Sequence, residues 1–482
     1  MPKQPLPLPT PPDCRESLGQ SPALLAKRDG HKINQWCPNQ SDTEYDRWCN
    51  PNHPKTLHFR HVKDADEILK DIVNPTPLLK SKCCKQFNIE LYFKLETSHK
   101  TGSFHERSAI YALLMLSEKE RSGGVYTASL GNWALALAYQ GSLSEVPVTV
   151  VLPIYTSINV VYQCQTYGAT VVLHGSSLSE AKKRAFILIA EQGYIGTYLN
   201  GYDNPNVIAG AGTVGIEILR QLPNTDAILV PVGGGGLIAG IAAYIKHIKP
   251  EVQIYGIQPG QSCSFFKAMD NERPYQTEPE RGLASSLTVA KPGDNAFHTA
   301  QSLIDKMVLV HDDWIARAVL HLTEEETLIA EGAGAISLGA LMCLPNLVPE
   351  LQGKKVVCIV SGGNISILPL IEIYARAKTV EGRIVTLTVR VGANNYKERN
   401  KILRVIENIG CNINYCEVER EWLTEDKLLD NYMTLQCETR DMNHARTLKH
   451  VLEKLFPNTC EFSEEIFEPT VTCSCFPKKI KK

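Results

Sequence analysis

The chain has 482 residues, 43% hydrophobic and 21% charged, the make-up of a globular protein long enough for more than one domain. Its formal net charge of −2 gives no electrostatic reason to bind nucleic acid or an anionic membrane, and no run approaches the roughly 18 apolar residues of a membrane-spanning helix. The 15 cysteines are scattered with no secretory leader ahead of them. Reduced thiols in the cytoplasm are therefore expected rather than a disulfide framework.

In chain order, residues 1–55 open on the proline-rich MPKQPLPLPTPPD and continue through Trp36 and Trp48 without periodicity. An extended, poorly ordered region is expected there. A helix is predicted over 64–74, ended by Pro75 and Pro77. The stretch FKLETSHKTGSFHERSA (93–109) follows. It reads as a strand over 91–95, a polar loop, and a helix that opens near Ser103 and runs to 114–116. Gly102 permits the turn, and Ser103 is placed to cap the helix.

Short Val/Ile/Leu-rich runs then alternate with helical patterns for about three hundred residues. The runs 148–152, 170–173, 227–232, 253–257 and 356–360 are nearly continuously apolar. Such strands are buried on both faces, so a mostly parallel α/β sheet is predicted, with ligands at the C-terminal strand ends. From 382 the pattern changes. Strand 384–391, helix 396–409, strands 412–419 and 430–438, and helix 442–455 predict a small α+β domain of ferredoxin-like order, with a further strand in the tail. The tail ending KKIKK is expected to be solvated.

Four loops are candidates for chemistry. Gly233-Gly234-Gly235-Gly236 ends a buried strand and opens a helix, so several backbone amides can converge on one anion. It lacks the lysine and Ser/Thr of a nucleotide P-loop, and its spacing is not the dinucleotide fingerprint. Ser129-Leu130-Gly131-Asn132 joins a strand to a helix and offers polar donors; it also fits an ordinary loop. Ser361-Gly362-Gly363-Asn364 places a hydroxyl at a strand's end, as ordinary turn chemistry also would. Glu331-Gly332-Ala333-Gly334-Ala335 has small residues that permit close helix packing.

Together these loops, GAGT at Gly210–Thr213 and the 93–109 framework resemble the threonine/serine dehydratase (ammonia-lyase) branch of the fold-type-II pyridoxal-phosphate enzymes, over about residues 72–372. The resemblance implies a two-lobed, mostly parallel α/β fold with pyridoxal 5′-phosphate between the lobes. It implies that Gly233, Gly234, Gly235 and Gly236 hold the phosphate. Asn132 bonds the phenolic oxygen, Phe104 lies beside the cofactor, and Ser361 faces the pyridine nitrogen. Ser129 and Gly131 hold the substrate carboxylate. The implied reactions are L-threonine to 2-oxobutanoate and ammonia, and L-serine to pyruvate and ammonia. Segment 382–460 resembles the ACT-like regulatory domain of such enzymes.

One expected residue is missing. The family pattern Ser-Phe-Lys-x-Arg-Gly-Ala carries the lysine that attaches the cofactor and removes the substrate's α-proton; this chain has His105 there. Imidazole has no primary amine, so pyridoxal phosphate is expected to be held non-covalently. Lys94 and Lys100 match positions with other roles and are not expected to substitute. Trp133 and Leu135 replace the usual His and Gln, and Ser108 replaces a glycine. Gln258, Ser262 and Ser264 leave no acidic ligand where some relatives bind a divalent cation, so no metal is expected. Leu130 stands where the racemases place a second serine. The C-terminal segment has Gly392-Ala393-Asn394-Asn395 instead of an Asp-Arg-Pro-Gly effector turn.

The predicted organisation is an N-terminal region 1–55, a cofactor-binding body 56–378, an ACT-like domain 382–460 and a tail 461–482. Two functions follow: an amino-acid ammonia-lyase, or a silent paralogue acting by binding a small amino acid or the cofactor. Homo-oligomers, or hetero-oligomers with an active paralogue, are the expected assemblies.

Overall fold

The computed structural model describes residues 46–82, 88–343, 349–392, 396–420, 430–462 and 474–477. Its elements begin with α1 (Phe59–Leu69), β1 (Leu78–Lys80), β2 (Glu90–Leu95), α2 (His105–Leu114), α3 (Glu118–Gly123), β3 (Val125–Ala128), α4 (Asn132–Leu143), β4 (Val148–Leu152), α5 (Ile158–Thr166), β5 (Thr170–Leu173), α6 (Leu178–Glu191), β6 (Thr197–Tyr198) and α7 (Pro205–Gln221). They continue with β7 (Ala227–Pro231), α8 (Gly236–Ile248), β8 (Gln253–Pro259), α9 (Ser264–Asp270), α10 (Asp294–Ala300), β9 (Lys306–Val310), α11 (Asp312–Glu324), α12 (Gly332–Cys343), β10 (Lys355–Val360) and α13 (Ile367–Val380). The C-terminal part holds β11 (Ile384–Gly392), α14 (Tyr396–Ile409), β12 (Asn412–Arg420), β13 (Asp430–Glu438), α15 (Met442–Leu455), β14 (Cys460–Phe462) and β15 (Ser474–Pro477).

The larger lobe is a seven-stranded sheet in the order β1-β2-β10-β7-β8-β9-β15. From β2 to β9 every pairing is parallel, as the continuous apolar runs predict. Alternate residues of each strand serve different cores. Val356, Cys358 and Val360 pack with α11, α12 and α13, while Val357 and Ile359 pack with α1, α2, α7 and α8. The smaller lobe is an all-parallel sheet, β5-β4-β3-β6, with α4 on one face and α6 on the other. The body is thus an α/β fold of two lobes.

The C-terminal sheet is antiparallel, in the order β12-β13-β11-β14, with α14 and α15 sharing its core. This βαββαβ arrangement includes the further strand expected in the tail.

The structure corrects several expectations. The helix predicted over 64–74 is Phe59–Leu69, because Val62, Ala65 and Leu69 form its buried stripe and the chain turns off after Leu69. Ser103 does not cap α2: the N-cap is Phe104, without a side-chain cap bond. Residues 46–57 are not coreless. Trp48 is buried, its carbonyl accepts from Asn295 Nδ2, and Arg47 pairs with Glu120. Finally, 474–477 is not a free tail, since β15 pairs antiparallel with β9 and closes the edge of the large sheet. Residues 1–45, including Trp36, and the terminal KKIKK lie outside the described residues. Cys343 departs from the expectation of reduced thiols, being disulfide-bonded. Among the described residues, no helix is long and apolar enough to cross a membrane.

The GAGT motif explains how the lobes seat on α7. A Cβ on Gly210 would lie 2.9 Å from the Arg107 carbonyl and from Ser108 Cα, and one on Gly212 would lie 2.8 Å from Gly240. Helices α2 and α8 therefore approach α7 at backbone contact. Ser108 pays for that closeness: its Oγ is buried with no hydrogen-bond partner. An orphaned buried hydroxyl costs about 1–3 kcal/mol. Ser108→Ala is expected to raise stability by about 1 kcal/mol, read as a higher urea midpoint; a lower midpoint would show that the hydroxyl is satisfied.

Candidate functional site

Parallel strands that lie side by side end at the same edge, so their following loops meet. Strand β10 lies between β2 and β7, with Val360 beside Leu95. The loops after these strands are 96–104, 361–366 and 232–235. Two of the four predicted candidate loops are among them, and the topology brings these beside the loop of the 93–109 stretch.

The first two loops are laced by backbone bonds. Phe104 N donates to the Ser361 carbonyl (3.1 Å), Gly363 N to the Gly102 carbonyl (2.9 Å), and Glu331 N to the Gly362 carbonyl (3.2 Å). Gly102 has φ +71°, and a Cβ there would run into the Asn364 side chain. Asn364 uses its amide to donate to the Thr101 carbonyl (2.7 Å) and to Asn132 Oδ1 (2.9 Å). Asn132 Nδ2 in turn donates to Glu331 Oε1 at 2.5 Å. Asn132 opens α4 of the smaller lobe, so these bonds tie the two lobes across the cleft. Ser157 and Ser366, 2.9 Å apart, make a second tie at its mouth.

The resulting cavity of about 100 Å³ brings together Phe104, His105, Ser129, Gly131, Asn132, Gly233–Gly236 and Ser361, every predicted site residue. It also brings in Trp133, Tyr202, Ser286 and Glu331, which sequence reasoning did not propose as site residues. Glu331 had a visible signal: an acidic residue opening a small-residue helix in a motif already singled out.

The glycine loop has the shape of an anion cradle. Gly235 is left-handed (φ +99°) and caps α8. A methyl on Gly234 or Gly235 would collide with the Tyr202 or Phe265 ring, and one on Gly236 would lie 2.6 Å from the Tyr202 carbonyl. The amides of Gly233, Gly234 and Gly235 donate to no acceptor among the described residues. Free amides at a helix N-terminus suit a phosphate.

Other groups are partly committed. Ser129 Oγ accepts from Gly131 N (3.1 Å) and Ala134 N (3.2 Å), leaving its proton free for a ligand. Ser361 Oγ donates to the Ala333 carbonyl at 3.3 Å. Trp133 is 4% exposed, and its Nε1 donates to Thr127 Oγ1 at 2.8 Å. The Gln258 Oε1 accepts from Phe266 N at 2.8 Å, and among the described residues no three His, Cys, Asp or Glu side chains cluster as a metal site.

His105 is the first residue of α2. Its ring stacks on Phe104 (3.9 Å, 29°), lies 6.2 Å from the Trp133 ring, and places Nδ1 3.4 Å from Ser103 Oγ. Burial lowers its pKa to about 3, so the imidazole is neutral at pH 7. No lysine or arginine lines the cavity among the described residues. Lys100 is exposed. Lys94 is 0% exposed and points away, bonded to the Thr76 carbonyl (2.8 Å), Glu217 Oε2 (2.7 Å) and Gln221 Oε1 (2.8 Å).

Lys94 belongs to a buried ion cluster behind the site. Arg107 bonds Glu96 through Nε (2.8 Å) and Nη2 (3.1 Å), and Glu217 through Nη1 (2.5 Å) and Nη2 (2.9 Å). His99 adds a contact to Glu96 at 3.0 Å. Burial pushes both carboxyls up, but Arg107 outweighs it, aided by His99 at Glu96 and by Lys94 at Glu217. Glu96 is held well below the usual carboxylate range, and Glu217 below it.

A profile of the family described as "Pyridoxal-phosphate dependent enzyme" matches residues 69–362. An L-threonine ammonia-lyase of Thermotoga maritima is 33% identical over 397 residues, covering 82% of this chain and 97% of the relative. One of Geobacter sulfurreducens is 37% identical over 336 residues, covering 70% and 82%. Among solved structures, the processed form of threonine deaminase isoform 2 from Solanum lycopersicum superposes with a TM-score of 0.62 at 29% identity, covering 72% of this chain and 99% of that one. Maize serine racemase gives 0.62 at 26% identity, covering 66% and 96%. The chain therefore belongs to the pyridoxal-phosphate dependent enzyme family, with the two-lobed fold of type II. Its cofactor is pyridoxal phosphate.

Removing one partner from a buried ion cluster strands the others. Arg107→Met is expected to cost about 3–5 kcal/mol, read from urea midpoints. The carboxyls have lower pKa values folded than unfolded, so their stabilisation is complete above the unfolded value of about 4.3 and is lost as pH falls through the depressed values. The midpoint of the native protein should therefore drop steeply below about pH 4, and that of Arg107→Met less so. Equal slopes would contradict this role for the cluster.

Proposed function

We propose that this protein is a catalytically silent member of the threonine/serine ammonia-lyase branch that retains the pyridoxal-phosphate site for binding. The observation that carries the reading is His105 at the start of α2, where the resemblance places the attaching lysine, in a cavity whose described lining holds no other amine.

The cradle Gly233–Gly236 would hold the phosphate through backbone amides. Asn132, with one amide proton unspent, would donate it to the phenolic oxygen. Ser361 would turn its neutral hydroxyl from the Ala333 carbonyl to the ring nitrogen, and the Ser129–Gly131 turn would receive a substrate carboxylate. Bound pyridoxal phosphate supplies an electron sink that acidifies the α-C–H of an amino acid. What the chain lacks is the group that would use it. His105 cannot attach the cofactor, since imidazole has no primary amine. With a pKa of about 3 it is also a weak proton acceptor at neutral pH. A positioned base contributes roughly 10²–10⁴-fold to rate.

The silent protein would act by binding the cofactor or an amino acid, as a regulatory subunit or in a hetero-oligomer with an active paralogue. Exposed Ile158 and Tyr162 on α5 and Ile367 and Leu368 on α13, near the Ser157–Ser366 tie, support such an assembly. The C-terminal βαββαβ unit supports an ACT-like regulatory role; residues 393–395, in place of the effector turn, lie outside the described residues. Intact cradle, Asn132 and Ser361 favour the second reading, an active ammonia-lyase on L-threonine or L-serine with His105 as base.

Assay of 2-oxobutanoate or pyruvate decides between them. The native protein with pyridoxal phosphate is expected to give neither above background, and His105→Lys to gain at least about 10²-fold. Family-level turnover by the native protein would overturn the silent reading.

A further inference from the structure

The cavity is lined both by an anion cradle and by a buried carboxyl that has no cation beside it among the described residues. Glu331 is 7% exposed. Its described partners are both neutral: Asn132 Nδ2 donates to Oε1 at 2.5 Å, and Ser286 Oγ donates to Oε2 at 2.8 Å. This contrasts with Glu96 and Glu217, which are also buried but share Arg107 and Lys94. Burial raises the Glu331 carboxyl above its ordinary range, and the two neutral donors only partly offset it.

The carboxyl lies beside residue 105's turn. A Cβ on Gly362 would be 2.7 Å from Glu331 Oε1, 3.1 Å from Asn132 Nδ2 and 3.4 Å from Ser103 Cβ. Glu331, Asn132 and Ser103, two residues before His105, therefore converge on Gly362. A lysine at 105 would bring a nitrogen into this region; the neutral His105 brings no charge. The only formal charge that the described lining carries is thus the negative one of Glu331.

We propose that this site selects a phosphorylated primary amine, of which pyridoxamine 5′-phosphate is the type, over its aldehyde or uncharged counterpart, with Glu331 accepting the ammonium group. The proposal rests on the cofactor site described above. A buried carboxylate without a counter-ion is poorly solvated, and an ammonium supplies both opposite charge and hydrogen-bond donors. An aldehyde offers an acceptor to an acceptor, and with no amine at 105 it gains no covalent attachment in exchange. The free amides of Gly233, Gly234 and Gly235 take the phosphate, so the lining offers a partner to each of the ligand's two charges.

The test uses the full-length protein and quenching of tryptophan fluorescence, with Trp133 in the cavity wall. Dissociation constants are measured for pyridoxamine 5′-phosphate, pyridoxal 5′-phosphate and 4′-deoxypyridoxine 5′-phosphate, which has hydrogen in place of the amine. The amine is expected to bind at least about tenfold more tightly than either of the others. Glu331→Gln is expected to erase that margin while leaving the deoxy compound's affinity within about twofold, which also shows that the variant is folded. Ser286→Ala, which keeps the carboxyl, is expected to retain a preference for the amine. Equal binding of all three by the native protein, or an undiminished margin in a folded Glu331→Gln, would overturn this proposal alone. Binding of none of them would overturn the cofactor site itself and this proposal with it.

Discussion

The buried cluster of Arg107, Glu96, Glu217 and Lys94 fixes the geometry of the site. Arg107 stands two residues after His105 on the same helix, and its guanidinium reaches both carboxylates. Four charges out of water are tolerable only in one arrangement, because each displaced partner leaves another uncompensated. The cluster therefore sets the rotation and depth of α2, and with them the direction of residue 105. It also consumes Lys94, the nearest buried amine in the sequence. This framework is whole around position 105, where the side chain is an imidazole.

The second constraint is the polar bridge between the lobes. Asn132 bonds both Glu331 and Asn364, and Asn364 reaches the Thr101 carbonyl. Asn132 and Glu331 also line the cavity, so closure of the lobes and the polarity of the site are one arrangement. Burial of Glu331 is the electrostatic consequence. A carboxyl in a cleft whose described walls carry no lysine or arginine is left as the strongest recognition element for whatever cation enters.

Much of this was legible in the sequence. Continuous apolar strands gave the parallel sheets, and a change to alternating pattern at 384 marked the antiparallel C-terminal unit. The glycine, Ser129–Asn132 and Ser361–Asn364 loops were visible as polar turns after buried strands, and it is their occurrence together, not the content of any one, that sets them apart from ordinary turns. The missed features are long-range. Glu331 bonds Asn132, 199 residues away, and Arg107 bonds Glu217, 110 residues away, so no local spacing links them. Ser103 reads as a helix cap, but it lies in an isolated bridge with Gly362 and α2 starts two residues later. Residues 46–57 and β15 lack periodicity because each packs on the body of the fold rather than forming a core of its own. Trp48 and the β9 edge show this directly.

The account turns on residue 105 being the place where attachment of the cofactor has been lost. The most direct measurement is borohydride reduction of the native protein after equilibration with stoichiometric pyridoxal phosphate, followed by peptide mapping by mass. The account expects no stable pyridoxyl adduct on any site residue. A stoichiometric adduct on a single lysine, Lys94 or Lys100 included, would show that another amine has taken the role and would contradict it.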